Sequence, residues 1–299
     1  MASTYRTRFA PSPTGQMHPG HARTALVTWL QARKHAGRIV MRIEDIDRPR
    51  VIPGAADRIC RDYEWLGLDW DEGPVFQSAR GQAYERALAC LDASDLIYPC
   101  TCSRKEIAEI ASAPHGEEGP RYPGTCRHGM TKPGEPAALR FRMADPSPGF
   151  EDALCGRYPD GRAGGDFVVR RADGIWAYQL AVVVDDAEAR ISQVIRGADL
   201  LDSTPRQIAL YRALGCPTPS FAHVGLLLDE AGNRLAKRHG AVSIESLRQA
   251  GRSAEEVIGA LASSLGLTAD TAPIRPEELI PNFELTEIAG SSVAWDPEG

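Results

Sequence analysis

The chain has 299 residues and a net charge of −6, so it is long enough to bury a core and too acidic to coat nucleic acid non-specifically. Its 43% hydrophobic and 25% charged residues are typical of a globular protein and exclude disorder and a coiled coil. The N-terminal stretch lacks the apolar core of a signal sequence, and the seven cysteines are an odd number. We therefore expect a cytoplasmic protein with no membrane contact and no disulfide framework.

The first predicted elements are a strand, a rigid loop, a helix and a second strand. The segment RFAPSPTGQMHPGH at 8–21 holds three prolines, which excludes a helix interior or a central strand. Apolar residues then recur at helical spacing and predict a helix from near Pro19 to just before Gly37. RIVMRIEDID at 38–47 predicts a buried strand with acidic residues at its carboxyl end.

This strand, helix and strand unit predicts where a ligand binds. A right-handed crossover brings the carboxyl ends of two parallel strands to one sheet edge, where open α/β sheets bind ligands. We therefore expect one pocket to be lined by Arg8, Ser12, the two histidines of the loop and Glu44.

The middle of the chain predicts two helices, an insertion and a hairpin. Helices are expected at PGAADRICRDYEWLGL and at SARGQAYERALACLDAS, the second capped by Ser78. The segment 99–165 is rich in glycine, proline and cysteine, which predicts an irregular inserted subdomain. GDFVVRRADGIWAYQLAVVVDDA predicts a β-hairpin that turns at Asp173 and Gly174.

The remaining elements are a strand and two helices. ISQVIRG predicts a strand, followed by a helix that begins at Asp202 or Ser203 with Pro205 in its first turn. Ser253 and Glu256 predict a capping box at the start of a later helix.

The residues His18-Pro19-Gly20-His21, at the turn into the first helix, predict a phosphate site. Backbone N–H groups at a helix start attract phosphate, glycine permits close approach, and imidazoles donate hydrogen bonds to phosphate oxygens. A nucleoside triphosphate fits this pattern, and the alternative is a surface loop with incidental histidines.

The loop RLAKRHG at 234–240 is a second candidate for phosphate chemistry. As a mobile lid it would place Lys237 over a transferring phosphoryl group and neutralise developing charge. The alternative is a solvated basic loop.

Three clustered cysteines, Cys100, Cys102 and Cys126, predict a structural Zn²⁺ site. From chemistry alone, a histidine such as His115 or His128 is the favoured fourth ligand, and Tyr122 also lies nearby. The alternative is that three unligated cysteines occupy a loop.

Arg8, Glu44, Tyr178 and Arg196 form a candidate set for a small ligand. A carboxylate holds an ammonium, two arginines hold two carboxylates, and a tyrosine donates a hydrogen bond. This inventory matches glutamate, and the alternative is that each residue serves in a structural salt bridge or in the core.

Together these motifs resemble the glutamyl-tRNA synthetase family. RFAPSPTGQMHPGHARTAL is similar to its HIGH signature, RIEDID to the strand that follows, WAYQLAVVVDD and IRGADLL to its amino-acid pocket, and RLAKR to its KMSKS loop. The resemblance spans about residues 5–240 and implies a Rossmann-like α/β catalytic domain with a parallel sheet. Its implied activity is formation of an aminoacyl-adenylate from ATP and glutamate, with Mg²⁺. Arg234 and Ala236 depart from the first lysine and the serine of KMSKS.

The resemblance also implies a domain order and residue roles. The catalytic domain comprises 1–98 and 166–240, with a zinc-binding subdomain inserted at 99–165 and a small helical region at 241–299. Glutamate-binding roles are implied for Arg8, Ala10, Ser12, Glu44, Tyr178 and Arg196. ATP-binding roles are implied for His18, Gly20, His21 and Lys237, and catalytic roles for His18, His21 and Lys237.

Within the family, the resemblance is to its short members, since we expect no large helical anticodon-binding region after Arg238. Those members attach glutamate to the queuosine base at the wobble position of tRNA(Asp), so the implied partners are ATP, L-glutamate and that tRNA, bound by a monomer. Their zinc ligands are three cysteines and a tyrosine, which map to Cys100, Cys102, Cys126 and Tyr122. This mapping favours Tyr122 over either histidine.

Three other functions are compatible with these residues. One is a minimal glutamyl-tRNA synthetase that charges a tRNA 3′ end. The second is another nucleotidyltransferase with an H-x-G-H motif, which the glutamate-like residue set and the cysteine cluster disfavour. The third is a non-catalytic paralogue that binds RNA or an amino acid, which retention of both histidines and Lys237 disfavours.

Overall fold

A parallel α/β sheet forms the centre of the protein in a computed structural model that describes residues 5–103, 105–107, 122–228, 242–288 and 292–294. The strands are β1 (Arg6–Phe9), β2 (Arg38–Ile43), β3 (Glu72–Phe76), β4 (Ile97–Cys100), β5 (Ala138–Phe141), β6 (Phe150–Asp152), β7 (Gly156–Tyr158), β8 (Phe167–Arg170), β9 (Gln193–Gly197), β10 (Ser220–Val224), β11 (Leu227–Leu228) and β12 (Val293–Ala294). The helices are α1 (Pro19–Lys34), α2 (Ala55–Trp65), α3 (Gly81–Ala93), α4 (Tyr178–Glu188), α5 (Thr204–Ala213), α6 (Ile244–Gln249), α7 (Ala254–Ser264) and α8 (Pro276–Leu279). Within this part of the chain, no helix combines the length and the apolar run needed to cross a lipid bilayer.

The first unit confirms the predicted strand, helix and strand. β1 and β2 pair in parallel, with Arg6 opposite Arg38 and Phe9 opposite Met41. α1 begins with proline in its first turn, where the missing N–H has no cost, and its last turn carries basic residues that suit the helix dipole. Because the two strands run parallel, β1 and β2 end at the same edge of the sheet.

The sheet has two parts that meet between β1 and β9, and all their strand pairs are parallel except the antiparallel pair of β6 and β7. β1, β2 and β3 form one part, and β9, β10, β6 and β7 form the other. The backbone N–H of Ser192 donates to the carbonyl of Arg6 at 2.9 Å, which brings β9 alongside β1. Strand order diverges in both directions from this point, which is where open α/β sheets form a ligand crevice.

The predicted hairpin around Asp173 and Gly174 is only half correct. β8 and a tight turn are present, with Arg170 bridged to Trp176, but the apolar run that follows forms α4 instead of a strand. Every residue from 180 to 186 is buried, so no alternating or amphipathic pattern was available to distinguish a helix from a strand. This helix supplies two carboxylates to the site described below.

The predicted cap of α3 is also wrong. The Ser78 hydroxyl donates to Asp45 at 2.6 Å, and α3 begins at Gly81. The predicted starts of two other helices are confirmed: α5 follows Ser203 with Pro205 in its first turn, and Ser253 with Glu256 forms the capping box of α7.

The C-terminal helices complete the core beneath α1. Leu26 and Leu30 of α1 join Ile258 and Leu261 of α7 in one buried cluster. Arg23 links the same two helices by donating to the backbone carbonyl of Ser264 at 2.9 Å. The N-terminal loop and α1 therefore pack against one continuous hydrophobic core.

We expect Gly259→Ala in α7 to lower the free energy of unfolding by about 1–3 kcal/mol, because overpacking costs this much in cores. An added Cβ would lie 2.2 Å from the carbonyl oxygen of Ala272. In a solvent-exposed helix interior, glycine to alanine instead raises the free energy of unfolding by roughly 1 kcal/mol. The sign of the change therefore distinguishes a packed position from an exposed one. Urea unfolding measures the difference.

Gly81→Ala, at the start of α3, is the matched control because its added Cβ would meet only Trp176 Nε1 at 3.8 Å. Its midpoint of urea unfolding should equal or exceed that of the parent protein. Equal stability of Gly259→Ala and the parent would contradict the close packing described for α7.

Candidate active site

A cavity of about 330 Å³ opens where the carboxyl ends of β1 and β9 meet. Its lining contains every described residue predicted from the sequence to bind glutamate or ATP: Arg8, Ala10, Ser12, His18, Gly20, His21, Glu44, Tyr178 and Arg196. Lys237 lies outside the described residues, so its predicted role stays a prediction. The expected pocket at this sheet edge is therefore present.

The HPGH turn presents two imidazoles at the start of α1. The rings of His18 and His21 stack, with centroids 3.9 Å apart. A Cβ on Gly20 would lie 3.0 Å from His18 Cε1, so glycine allows the His18 ring to lie close against the backbone. The first turn of α1 carries no acidic residue. The first turn of α1 therefore carries no negative charge that would repel an anion.

The preceding loop is fastened to the end of β2. The backbone N–H of Glu44 donates to the carbonyl of Pro11 at 2.9 Å, and that of Ile52 donates to the carbonyl of Pro13 at 2.9 Å. Prolines restrict the loop further because their φ angle is fixed. The loop thus holds Ser12 and Glu44 at one side of the cavity.

Arg42 lies at the centre of a buried ion cluster under the cavity. Its Nη1 donates to Asp186 at 2.5 Å and its Nη2 donates to Glu44 at 3.0 Å, while its side chain is 3% exposed. Burial alone would lower the pKa of Arg42, but the carboxylates of Asp186, Glu44 and Asp185 outweigh it and raise that pKa well above its usual value. Arg42 is therefore a permanent cation between two acids.

The cluster places a carboxylate beside Arg8 and a guanidinium group beside Glu44. Arg8 donates from Nη1 to the carbonyl of Ile195 at 2.9 Å, and its Nε lies 3.4 Å from Asp186. Burial raises the pKa of Glu44, and the positive charges of Arg42 and Arg8 oppose that rise. The cavity thus has a carboxylate on one wall and a guanidinium on another.

Arg196 is a buried cation, and its hydrogen-bond partners among the described residues are all neutral. It donates to Gln207 Oε1 and Thr204 Oγ1 at 2.7 Å each, and its Nε lies 3.1 Å from His223 Nε2. No carboxylate among the described residues forms an ion pair with it. Burial lowers the pKa of Arg196, and a bound carboxylate would relieve that cost.

Sequence reasoning missed the residues that hold these side chains. Arg42 stands two positions before Glu44 in the quoted strand, so its alternation with Glu44 on one face was an available signal. Asp185 and Asp186 end the apolar run of α4, and an acidic pair after such a run was a weaker signal. Nothing local marked His223 or Gln207.

The predicted metal ligands also come together. The Sγ atoms of Cys100, Cys102 and Cys126 all lie within 4.8 Å of one another. The Tyr122 hydroxyl lies 3.4 Å from Cys100 Sγ and 3.7 Å from Cys102 Sγ. Four ligands around zinc at bonds of about 2.0–2.3 Å are separated by similar distances, so the donor set fits a tetrahedral site.

The surroundings favour the charged form of Cys126, whereas burial raises the pKa of Cys102 and of Tyr122. Burial raises the pKa of Cys126, but hydrogen bonds from the backbone and hydroxyl of Thr131 outweigh it and lower that pKa to about 6. The Arg140 guanidinium lies 3.9 Å from the Tyr122 ring centroid and adds positive charge. His128 is not part of the group of ligand atoms, and His115 lies outside the described residues. We therefore keep Tyr122 as the proposed fourth ligand.

Comparisons with known proteins agree with this site. The family model for the catalytic domain of class I tRNA synthetases (E and Q) matches residues 4–296 of this chain. The glutamyl-Q tRNA(Asp) synthetase of Symbiobacterium thermophilum is 54% identical over 94% of this chain and 93% of its own length. The enzyme of the same name from Deinococcus radiodurans is 49% identical over 93% of this chain and 96% of its own.

Solved structures give the same fold at lower identity. Glutamate-tRNA synthetase from Elizabethkingia anophelis superposes with a TM-score of 0.84 at 28% identity, over 98% of this chain and 68% of that one. A glutamate tRNA ligase from Elizabethkingia meningosepticum, in complex with its amino acid, superposes with a TM-score of 0.83 at 27% identity, over 99% of this chain and 68% of that one. The α/β catalytic fold predicted from the sequence is confirmed.

Metal analysis of the purified protein should find about one zinc per chain, because three thiolates and a phenolate would complete a closed tetrahedral site. Cys102→Ser should lose this zinc and lower the melting temperature. Cys90→Ser is the matched control, since Cys90 is exposed and outside the group. Zinc-free parent protein, or equal zinc in Cys102→Ser, would refute the site.

Proposed function

The chain belongs to the class I tRNA synthetases (E and Q), and we propose that it activates L-glutamate with ATP and transfers it to the queuosine base of tRNA(Asp). Relatives at 46–54% identity over nearly the whole chain bear the name glutamyl-Q tRNA(Asp) synthetase. The glutamate tRNA ligases of known structure are less similar, at 27–28% identity. The family therefore supplies the reaction class, and the short glutamyl-Q members supply the acceptor.

One observation carries the proposal for glutamate. A single cavity joins an acid, Glu44, to two buried guanidinium groups, Arg8 and Arg196, beside the N-terminus of α1. An amino acid with a second carboxylate satisfies these three charges at once, and a further acidic residue, Asp199, also lines the cavity. Tyr178 adds a hydroxyl at the same cavity, and burial raises its pKa, so it stays a donor at neutral pH.

The first step is attack by a glutamate α-carboxylate oxygen on the α-phosphorus of ATP. The new bond forms between that oxygen and phosphorus, and the bond to the β-phosphate oxygen breaks, which releases pyrophosphate. No protein nucleophile is needed, so catalysis rests on positioning and on stabilisation of charge. His18 and His21 would contact the phosphates from the start of α1, and Mg²⁺ accompanies ATP and neutralises phosphate charge.

Lys237 completes this proposal from the basic loop outside the described residues. A lysine acts as a compact point charge on phosphate, so closure of the loop would stabilise the transition state. Zinc would bind to Cys100, Cys102, Cys126 and Tyr122 and fasten the loops of the insertion, with no part in the chemistry.

A larger groove supports access for an RNA acceptor. A cavity of about 940 Å³ shares Ser12, Glu44 and Tyr178 with the smaller one and extends toward the cysteine cluster. Its walls include Trp176 and Arg171. Single-stranded loops insert splayed bases between aromatic and cationic side chains, so an anticodon loop suits this groove.

The reaction is tested by pyrophosphate exchange followed by transfer. ATP–pyrophosphate exchange should depend on L-glutamate, measured with and without tRNA. Transfer should then succeed with queuosine-containing tRNA(Asp) and with the same tRNA lacking its 3′-terminal adenosine, because the acceptor hydroxyl lies in the anticodon. The unmodified transcript with guanine at the wobble position should remain uncharged.

Each rival function gives a different pattern. Charging of the unmodified transcript but not of the truncated tRNA identifies a 3′-end synthetase. ATP–pyrophosphate exchange that does not depend on glutamate identifies another nucleotidyltransferase. Absence of exchange under both RNA conditions, together with retained ligand binding, identifies a non-catalytic paralogue.

The KM for glutamate should rise as pH falls. Burial raises the pKa of Glu44 above its usual 4.5, and protonation there removes the charge that holds the ammonium group. Binding is therefore complete above that raised pKa and is lost as pH drops through it. Exchange kinetics at saturating ATP measure this.

Glu44→Gln should raise the KM at every pH and flatten its acid rise. Glu72→Gln is the control, because Glu72 pairs with Arg6 at the surface and lies outside the cavity. An acid rise that persists in Glu44→Gln would assign the titration to another group.

A further inference from the structure

Arg196 is held by a buried chain of side chains that reaches back to β6. Asp152 ends β6, His223 lies in the adjacent strand β10, and Arg196 lies in β9. Asp152 Oδ2 lies 2.5 Å from His223 Nδ1, and His223 Nε2 lies 3.1 Å from Arg196 Nε. All three side chains are 5% exposed or less. The chain thus crosses three neighbouring strands beneath the cavity.

We propose that Asp152 and His223 are positioning residues that orient Arg196 toward a carboxylate of the substrate, a role that rests on the proposed glutamate activation. Asp152 fixes which ring nitrogen of His223 carries the proton. His223 then accepts from the Arg196 Nε–H and holds the guanidinium plane.

The hydrogen bonds of Asp152 favour its ionised form and fix the orientation of its carboxylate. Its Oδ1 accepts from the backbone N–H groups of Leu154, Cys155 and His223 at 3.0, 2.9 and 3.1 Å. Its Oδ2 is left to face the His223 ring. Burial raises the pKa of Asp152, but the hydrogen bond from the His223 ring and those from the backbone N–H groups of Cys155 and His223 outweigh it and lower that pKa. Asp152 is therefore a carboxylate that can only accept.

Two independent contacts assign the same tautomer to His223. A carboxylate at Nδ1 requires the proton on Nδ1. An arginine nitrogen can only donate, so Nε2 must be the bare, accepting nitrogen at the other end of the ring. Burial lowers the pKa of His223, which keeps the ring neutral and Nε2 available.

The ring also separates two opposite charges that would otherwise pair. If Asp152 contacted Arg196 directly, the guanidinium would be neutralised and less able to bind a substrate carboxylate. With a neutral imidazole between them, Arg196 has neutral hydrogen-bond partners at Gln207, Thr204 and His223, and no carboxylate in the described part of the chain forms an ion pair with it. The arrangement orients the cation and leaves its charge for the ligand, as partners behind metal ligands do.

Asp152→Asn tests the tautomer with little change in shape. The three backbone N–H groups require the amide oxygen at the Oδ1 position, so the amide nitrogen would occupy the Oδ2 position and donate to Nδ1. The ring proton would then lie on Nε2 and oppose the Arg196 N–H. In pyrophosphate exchange we expect the KM for glutamate to rise roughly 10- to 100-fold, the usual range for such supporting residues, while the KM for ATP changes little.

Asp166→Asn is the matched control. Asp166 is also 5% exposed and accepts from the backbone N–H of Met143 and the hydroxyl of Tyr98. It lies 3.6 Å from Arg127 Nε, and it has no contact with His223 or Arg196 among the described residues. This variant should keep the parent's KM for glutamate even if its melting temperature falls. A KM in Asp152→Asn equal to the parent's, or a parallel rise for ATP and glutamate, would reduce Asp152 to a structural role and overturn the proposal.

Nitrogen-15 spectra of the unaltered protein test the same claim if Asp152→Asn does not fold. The His223 signals, assigned by their loss in His223→Gln, should show a protonated Nδ1 and a bare Nε2. A protonated Nε2 would overturn the proposal. Absence of glutamate-dependent exchange in the parent would refute the proposed function itself, whereas exchange with an unchanged KM in Asp152→Asn refutes only this inference.

Discussion

The buried guanidinium of Arg42 is the interaction on which the candidate site depends. It joins the end of β2 to the end of α4 by contacting Glu44 and Asp186. Burial raises the pKa of Glu44, and the positive charge of Arg42 opposes that rise, so it favours the ionised form of this carboxyl. Removal of one member of a buried ion cluster leaves an uncompensated charge, which typically costs about 3–5 kcal/mol. The charge of Glu44, and hence its ability to hold an ammonium, follows from Arg42.

The other two guanidinium groups that line the cavity, those of Arg8 and Arg196, differ in their partners. Arg8 faces Asp186, whereas Arg196 is surrounded by neutral acceptors. A buried cation without an internal carboxylate is costly in the empty protein and becomes favourable when a ligand supplies the anion. Folding free energy is thus spent to preorganise the pocket for an acidic amino acid, as expected where catalysis relies on positioning.

Local sequence patterns predicted the elements that local interactions determine. The proline-rich loop, the helical stripe of α1 and the capping box of α7 each depend on neighbouring residues, and each is present. The run after Gly174 was assigned to a strand because a fully buried helix has no periodic polar face. Asp152 and His223 are 71 positions apart in sequence, so only the strand order brings them together. The cysteine spacing indicated a metal, but Tyr122 was chosen by family resemblance.

A crystal structure of the protein with L-glutamate bound tests the central claim most directly. The account predicts the ammonium within hydrogen-bond distance of Glu44 and one carboxylate on the Arg196 guanidinium, with the His223 contact retained. Glutamate that binds elsewhere, or that leaves Arg196 with only its internal partners, would contradict it.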